Sequence, residues 1–324
     1  MGKHLRRLGN TVSVPLRTDE SGYLGRECPK CEKYFKITPG TGLTGKDLDC
    51  VCAYCGHRDS HRTFFTREQI EHAKSVVLNK LTGAFLSDLK EMECDVRPRG
   101  GFGLGLSIKV TGSPHPVRYY REKALETELV CESCTLRYAI YGLFAFCPDC
   151  GTHNSRQILE NNLALAEKQL ELADSIDASL REQLRGDALE NVVSSFDGFG
   201  RKACQVSAHR STNANRAHAA SFQNLKRAKD DMQQLFGVDL STSVSCDEWN
   251  AAFRAFQKRH LLAHTMGVVD TAYVASTGDH SIPVGRKVVI SKQEVVGIVA
   301  IVRRLAATIE RALLPRSDTT SETT

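Results

Sequence analysis

The sequence predicts a multi-domain protein in which N-terminal β-rich modules, each organised by four cysteines, precede a C-terminal all-α helical bundle. The first observation is length, because 324 residues exceed what a single core usually organises. The second is that Cys-x-x-Cys pairs occur four times before residue 151 and do not recur after it. The third is that apolar residues recur at three- and four-residue steps beyond residue 153, which is the period of a helix with one buried face.

Composition indicates a globular protein and argues against a membrane-spanning or secreted one. Hydrophobic residues make up 41% of the chain and charged residues 25%, as in ordinary globular proteins. No apolar run reaches the roughly 18 residues of a membrane span, and the basic N-terminus is not followed by the apolar core of a secretory signal. We therefore expect a cytoplasmic protein with no membrane partner.

Positive charge is concentrated in two stretches, although the net charge is only +5. Residues 96 to 123 contain six Lys or Arg against one acid, and residues 201 to 229 contain seven against none. Local excesses of this kind suit a polyanion such as RNA. A solvated basic face is the alternative, and the sequence leaves both open.

The twelve cysteines predict metal binding rather than disulfides, because a disulfide framework is uncommon in a reducing compartment. Two Cys-x-x-Cys turns can direct four thiolates at one ion and complete a tetrahedral shell. Such a closed shell leaves no position for a substrate, so we expect two structural Zn²⁺ ions and no catalytic metal. The predicted ligands are Cys28, Cys31, Cys52 and Cys55 in the first set and Cys131, Cys134, Cys147 and Cys150 in the second.

The spacing between the paired turns predicts two zinc ribbons. The intervals of 20 and 12 residues each fit a short hairpin, and Gly56 and Gly151 permit the backbone turn after the second pair. Cys50 competes with Cys52 as a ligand, but Cys52 has the correct spacing to the next cysteine. His153 lies near a turn, and we expect it at the surface because four thiolates are already present. The ribbons serve recognition or regulation, or only brace the fold.

Composition shifts and capping signals divide the chain. Residues 66 to 69 form a capping box that opens a helix. The glycines at 100 to 105 predict a turn rather than a phosphate loop, because no strand precedes them and no Gly-Lys-Ser/Thr follows. The predicted segments are a basic arm (1–26), the first ribbon (27–62), a helix with a glycine-rich β linker (63–127), the second ribbon (128–154), the bundle (155–314) and a disordered tail (315–324).

The bundle is predicted to contain about five helices. The apolar period gives the first three, a capping box at Ser245 opens the fourth, and Ser291 caps the fifth. Gly267 is expected to end the fourth helix and Pro315 the fifth. The first three predicted helices are 156–185, 187–207 and 219–236.

The fourth helix ends in an arginine and two histidines, Arg259, His260 and His264. The two histidines share a face, but Arg259 and His264 lie about 140° apart on an ideal helix. A single straight helix therefore does not obviously bring them together, so either the helix end distorts or a second chain completes the site. Cationic residues near the negative pole of a helix are the structural alternative.

The Arg-x4-His arrangement, here Arg259-His260-Leu-Leu-Ala-His264, in the penultimate helix of an α-bundle resembles the HEPN family (higher eukaryotes and prokaryotes nucleotide-binding). The resemblance covers residues 156–314 and includes the segments TMGVVDTAYV and IPVGRKVVI. It implies a HEPN-like fold and a homodimer formed through the bundle. It also implies a metal-independent endoribonuclease, a toxin or antiviral-defence effector, with an inhibitor or activator protein as a further partner.

The resemblance also implies roles for the residues. Arg259 matches the motif arginine, His264 the catalytic histidine and His260 the polar residue that follows the arginine. A carboxylate on an earlier helix sometimes joins such sites; Asp197 is the candidate, and a solvated helix acid is the alternative.

The chemistry is coherent from the residues themselves, because RNA carries its own 2′-OH nucleophile. Histidine can move a proton near neutral pH, and arginine can stabilise charge on the phosphate. The predicted products are a 2′,3′-cyclic phosphate and a 5′-OH.

Two other functions remain open. A non-catalytic RNA-binding or sensor protein would use the HEPN-like bundle for dimerisation. A zinc-ribbon accessory protein of transcription or translation would bind duplex DNA or ribosomal RNA through its ribbons, and changing His264 would have no effect on it.

Overall fold

The computed structural model describes residues 2–9, 11–43, 49–96 and 106–314. The predicted glycine-rich turn at 100–105 and the predicted tail at 315–324 lie outside these described residues. The chain forms two compact units, residues 1–143 and 144–324. Within the described ranges, no helix is both long enough and apolar enough to cross a membrane.

The N-terminal unit contains eight short strands and two α-helices among its described residues. The helices are α1 (Lys3–Arg7) and α2 (Arg67–Lys90). The strands are β1 (Leu24–Glu27), β2 (Tyr34–Ile37), β3 (Asp49–Val51), β4 (Arg58–Ser60), β5 (Cys94–Val96), β6 (Leu106–Ile108), β7 (Thr127–Val130) and β8 (Arg137–Ile140).

Four strands form one antiparallel sheet in the order β1-β2-β8-β7. The hairpin β1–β2 carries the first Cys-x-x-Cys turn and the hairpin β7–β8 carries the third, and Ile37 pairs with Tyr138 where the hairpins meet. Strands from both cysteine modules therefore belong to a single sheet, which the sequence did not predict. The hairpin β3–β4 carries the second turn and forms a separate two-stranded sheet.

The predicted capping box of α2 is confirmed. The Thr66 hydroxyl accepts from the amide of Gln69 at 3.1 Å, and the Gln69 side chain accepts from the amide of Thr66 at 3.2 Å. These two hydrogen bonds satisfy amides that a helix start leaves unpaired.

The C-terminal unit is helical beyond residue 154. Its helices are α3 (Ser155–Ala173), α4 (Ala178–Val206), α5 (Ala214–His218), α6 (Leu225–Phe236), α7 (Cys246–Thr265), α8 (Thr271–Thr277) and α9 (Lys292–Leu313). Helix α4 packs against α3, α7 and α9, and its apolar face forms much of the core.

The prediction of one helix over 156–185 is wrong. Helix α3 ends at Ala173, and Asp177 starts α4 by accepting from the amides of Ser179 and Leu180. The residues predicted as a second helix from 187 therefore belong to the same helix as Ala178. A capping carboxylate overrode the continuous apolar period, which cannot by itself reveal a bend between two helices that keep one face buried.

Helix α6 begins at Leu225 rather than at 219, because the side chain of Asn224 accepts from the amide of Arg227 at 3.1 Å. Residues 219–224 are left as a non-helical segment. This boundary error matters, since that segment lines the cleft described below.

Helix α7 follows its prediction closely. The side chains and amides of Ser245 and Glu248 form the expected capping box. At the other end Met266 and Gly267 both have positive φ, 53° and 79°, so the left-handed turn starts one residue before the predicted glycine.

Candidate functional site

The four cysteines of the first set lie at the distances a tetrahedral ion requires. Sγ of Cys28 lies 3.7 Å from Sγ of Cys55. Sγ of Cys31 lies 3.6 Å from Sγ of Cys52. A tetrahedron with Zn–S bonds of about 2.3 Å has edges of about 3.8 Å, so this set fits Zn²⁺. The group contains Cys52, as predicted, while Cys50 is buried on β3 outside it.

The second set is arranged in the same way. The Sγ atoms of its four cysteines all lie within 4.8 Å of one another, as do those of the first set. Both sets therefore suit a metal ion such as Zn²⁺. The members of the second set are Cys131, Cys134, Cys147 and Cys150.

All four Cys-x-x-Cys turns share one backbone geometry. In each, the amide of the residue after the second cysteine donates to the carbonyl of the first at 2.8 to 3.0 Å. That residue has positive φ, 69° at Gly56 and 74° at Gly151, as predicted. Glu32 and Thr135 take the same left-handed conformation at 57° and 64° without being glycine. Four repeats of one geometry show that the cysteines, rather than the flanking sequence, set the turn.

His153 is buried rather than at the surface, which corrects its prediction. Its ring lies 6.4 Å from that of Phe144 and 4.8 Å from that of Phe146, and its Nδ1 accepts from the amide of Ser155 at 3.2 Å. Burial disfavours the imidazolium and lowers the pKa of His153 to about 3, and the charge of Lys202 adds to the effect. His153 is thus a neutral packing residue at the start of α3.

A cleft of about 290 Å³ lies between α7 and the segment that leads into α6. Arg259, His260 and His264 all line it, although the helical spacing separates the first from the last by about 140°. Helix α7 is uninterrupted through Thr265, so the end of the helix does not distort. The cavity instead extends round the helix far enough to receive all three side chains of one chain.

The two histidines and the arginine differ in their surroundings. The rings of His260 and His264 are exposed and lie 4.4 Å apart between centroids. Arg259 is only 9% exposed, and its Nη2 lies 3.7 Å from a carboxylate oxygen of Glu190 on α4. Its Nε has no hydrogen-bond partner among the described residues. A buried, incompletely paired guanidinium carries a desolvation cost that an anion in the cleft would offset.

Residues 221–227 form the opposite wall of the cleft, and the sequence did not predict that they belong to the site. The cation of this wall is Arg227, whose Nε lies 3.6 Å from Asp231. Arg216 already binds that same buried carboxylate through Nε at 3.0 Å and through Nη2. Because Arg216 neutralises Asp231, the Arg227 guanidinium keeps donors for another anion. None of the described residues that line the cleft is acidic.

Asp197 does not line the cleft, but its hydrogen bonds fix the position of the wall formed by residues 221–227. Its carboxylate accepts from the amide of Phe222 at 2.5 Å and from the hydroxyl of Ser221 at 3.1 Å. Arg201 lies 3.7 Å away on the next turn of α4. Asp197 is 5% exposed, so the alternative of a solvated helix acid does not describe it. Its contacts make it a positioning residue.

The packing of Phe222 against α4 also fixes the position of this wall. Phe222 is buried and lies edge-on to Phe196, with ring centroids 5.6 Å apart. Its ring rests on Gly200, where a Cβ atom would meet three ring atoms at 2.5 to 2.6 Å. Glycine is therefore required at this point of α4 if residues 221–224 are to keep their position.

Comparisons with known proteins identify no relatives: no family model, no curated protein and no solved structure matches the chain. The residues of the cleft and the two cysteine sets are therefore the features of the chain that bear on its function.

Proposed function

We propose that the cleft cleaves single RNA strands and that the protein is a metal-independent endoribonuclease of HEPN type. The observation that carries the proposal is the shared cavity of Arg259, His260 and His264, with Arg227 on the facing wall. Two cations and two imidazoles around a space of about 290 Å³ suit one phosphodiester and its adjacent nucleotide.

The proposed reaction needs one proton acceptor, one proton donor and a cation. The ribose 2′-OH gives its proton to an imidazole while its oxygen attacks the adjacent phosphorus. The 5′-oxygen then leaves with a proton from an imidazolium, giving a 2′,3′-cyclic phosphate and a 5′-OH. We assign proton transfer to His264, assisted by the neighbouring His260. Arg259 stabilises the charge that develops on the phosphorane.

The remaining expectations rest on the resemblance to the HEPN family. They are a homodimer formed through the bundle, a role as a toxin or antiviral-defence effector, and control by an inhibitor or activator protein. The two cysteine sets would hold structural Zn²⁺ and stay outside the reaction, because four thiolates leave no position for substrate.

A non-catalytic RNA-binding or sensor protein is the second candidate. The burial of Arg259 and its proximity to Glu190 favour it, since both restrain the guanidinium from reaching a phosphate. Glu190→Gln separates the two functions. Cleavage that rises in this variant identifies a restrained nuclease, whereas RNA binding without cleavage in every variant identifies the binding protein.

The primary test incubates end-labelled RNA with the wild type, His264→Ala and His209→Ala. His209 is an exposed histidine of the same unit that does not line the cleft, so it controls for contaminating activity and for loss of an imidazole. We expect cyclic phosphate ends from the wild type and from His209→Ala, unaffected by brief EDTA treatment. Equal cleavage by His264→Ala would contradict the proposal.

A further inference from the structure

The N-terminal unit contains a cavity of about 810 Å³, well above the volume of the cleft in the C-terminal unit. Its walls come from residues 14–21, from Lys36 on β2, from His72 on α2 and from residues 117–124. This volume lies in the range of small-molecule and cofactor sites.

The acidic groups of this cavity have different partners. Asp19 pairs with the buried Lys36 at 2.8 Å. Glu122 accepts from the Tyr34 hydroxyl at 2.5 Å and from the Gln69 amide at 3.1 Å. The two donors on Glu122 are uncharged, so Glu20 and Glu122 are the carboxylates of the lining that no ion pair neutralises within the described residues.

Two guanidinium groups of the lining have no such partner. Arg17 and Arg121 form no ion pair within the part of the chain that the structure describes. Arg118, a few residues before Arg121, differs because it lies 3.5 Å from Glu71. The guanidinium groups of Arg17 and Arg121 therefore keep their donors for a phosphate that enters the cavity.

An aromatic platform stands beside these cations. Tyr119 is 82% exposed, far above the exposure expected for a packed tyrosine. One side of its ring meets His72, whose centroid is 5.9 Å away and whose Nδ1 hydrogen-bonds the carbonyl of Arg118 at 2.6 Å. The cavity thus offers a stacking surface and two cations.

We propose that this cavity binds a nucleotide, with the base stacked on Tyr119 and a phosphate held by Arg17 and Arg121. Stacking on an exposed aromatic ring beside cations is how proteins hold single-stranded nucleic acids without reading base pairs. The same chemistry is offered by one nucleotide of an RNA strand and by a free nucleotide. The inference stands independently of cleavage by the C-terminal unit.

The test uses the full-length, zinc-loaded protein carrying His264→Ala, so that RNA stays intact. Binding of a fluorescent single-stranded octaribonucleotide is measured by anisotropy, and binding of AMP and UMP by calorimetry. Tyr119→Ala, Tyr119→Phe and Arg121→Gln are compared with Tyr141→Ala, which removes an exposed tyrosine of the same unit outside the cavity. A 4-thiouridine version of the oligonucleotide is photocrosslinked, and the modified peptide is mapped.

We expect Tyr119→Ala to weaken binding about 5- to 150-fold, the equivalent of one stacked base, and Tyr119→Phe to bind like the parent. Arg121→Gln should reduce the salt dependence of log K by about 0.7, the contribution of one phosphate contact on a single strand. Crosslinks should map to residues 117–124. Effects on the oligonucleotide alone identify a strand site, and effects on AMP or UMP identify a free-nucleotide site.

Equal binding by Tyr119→Ala and its parent, with crosslinks outside residues 117–124, would overturn the proposal. The proposal also fails if Tyr141→Ala weakens binding as much as Tyr119→Ala. Neither result depends on whether the wild type cleaves RNA, so the two proposals can fail separately.

Discussion

Gly200→Ala should lower the stability of the C-terminal unit, although alanine is a better helix former than glycine inside α4. A Cβ atom at this position would lie 2.5 to 2.6 Å from three ring atoms of Phe222, where ordinary contacts begin at about 3.4 Å. The ring is buried against Phe196, so it cannot move into solvent. Overpacking of this kind costs about 1 to 3 kcal/mol.

Gly198→Ala is the matched control, because it lies on the same helix and, apart from neighbouring residues and the backbone of α4, no described atom comes within 4 Å of its added Cβ. Both substitutions gain about 1 kcal/mol from helix propensity, so that contribution cancels between them. We therefore expect Gly198→Ala to raise the free energy of unfolding slightly. The free energy of unfolding of Gly200→Ala should be about 1 to 3 kcal/mol lower than that of Gly198→Ala.

Urea unfolding of the zinc-loaded protein, followed by circular dichroism at 222 nm, measures the difference. Because Phe222 lies in the segment that forms one wall of the cleft, Gly200→Ala should also lose the proposed RNA cleavage at a temperature where both variants are folded. Equal stability of the two variants would refute the argument, since it would mean that the ring of Phe222 does not rest on Gly200. Equal cleavage by two variants of unequal stability would refute the link from Phe222 to the cleft.

Three further outcomes test the cysteine turns and the start of the bundle. Glu32→Gly should raise the free energy of unfolding by about 1 kcal/mol, because it removes the cost of a left-handed non-glycine residue, and Gly56→Ala should lower it by a similar amount. Cys52→Ser should reduce the zinc content, measured by atomic absorption, from two ions per chain to one, whereas Cys50→Ser should retain both. Burial lowers the pKa of His153 to about 3 from an unfolded value near 6.5, so its stabilising effect is complete above about pH 6.5 and is lost as the pH falls toward 3. The difference in unfolding free energy between pH 7.5 and pH 5.5 should therefore be smaller in His153→Gln than in the wild type.

Features determined by residues close together in sequence were predicted well. The Cys-x-x-Cys turns, the capping boxes at Thr66 and Ser245 and the extent of α7 all follow from contacts within a few residues. Such contacts form in the same way whatever the rest of the chain does. The error at 156–185 shows the limit of this local inference, because an apolar period reports a buried face and continues across a bend that leaves the face buried.

Features determined by distant residues were missed. The pairing of Ile37 with Tyr138, the support of Ser221 and Phe222 by Asp197 and the proximity of Glu190 to Arg259 all join residues at least 24 positions apart. No spacing in the sequence marks such pairs, since they are set by how helices and strands pack. The sequence by itself identified Arg259, His260 and His264 as the groups proposed to carry the chemistry. Only the tertiary structure decided that one cavity receives them, because a shared cavity is a property of packed surfaces and not of chain order.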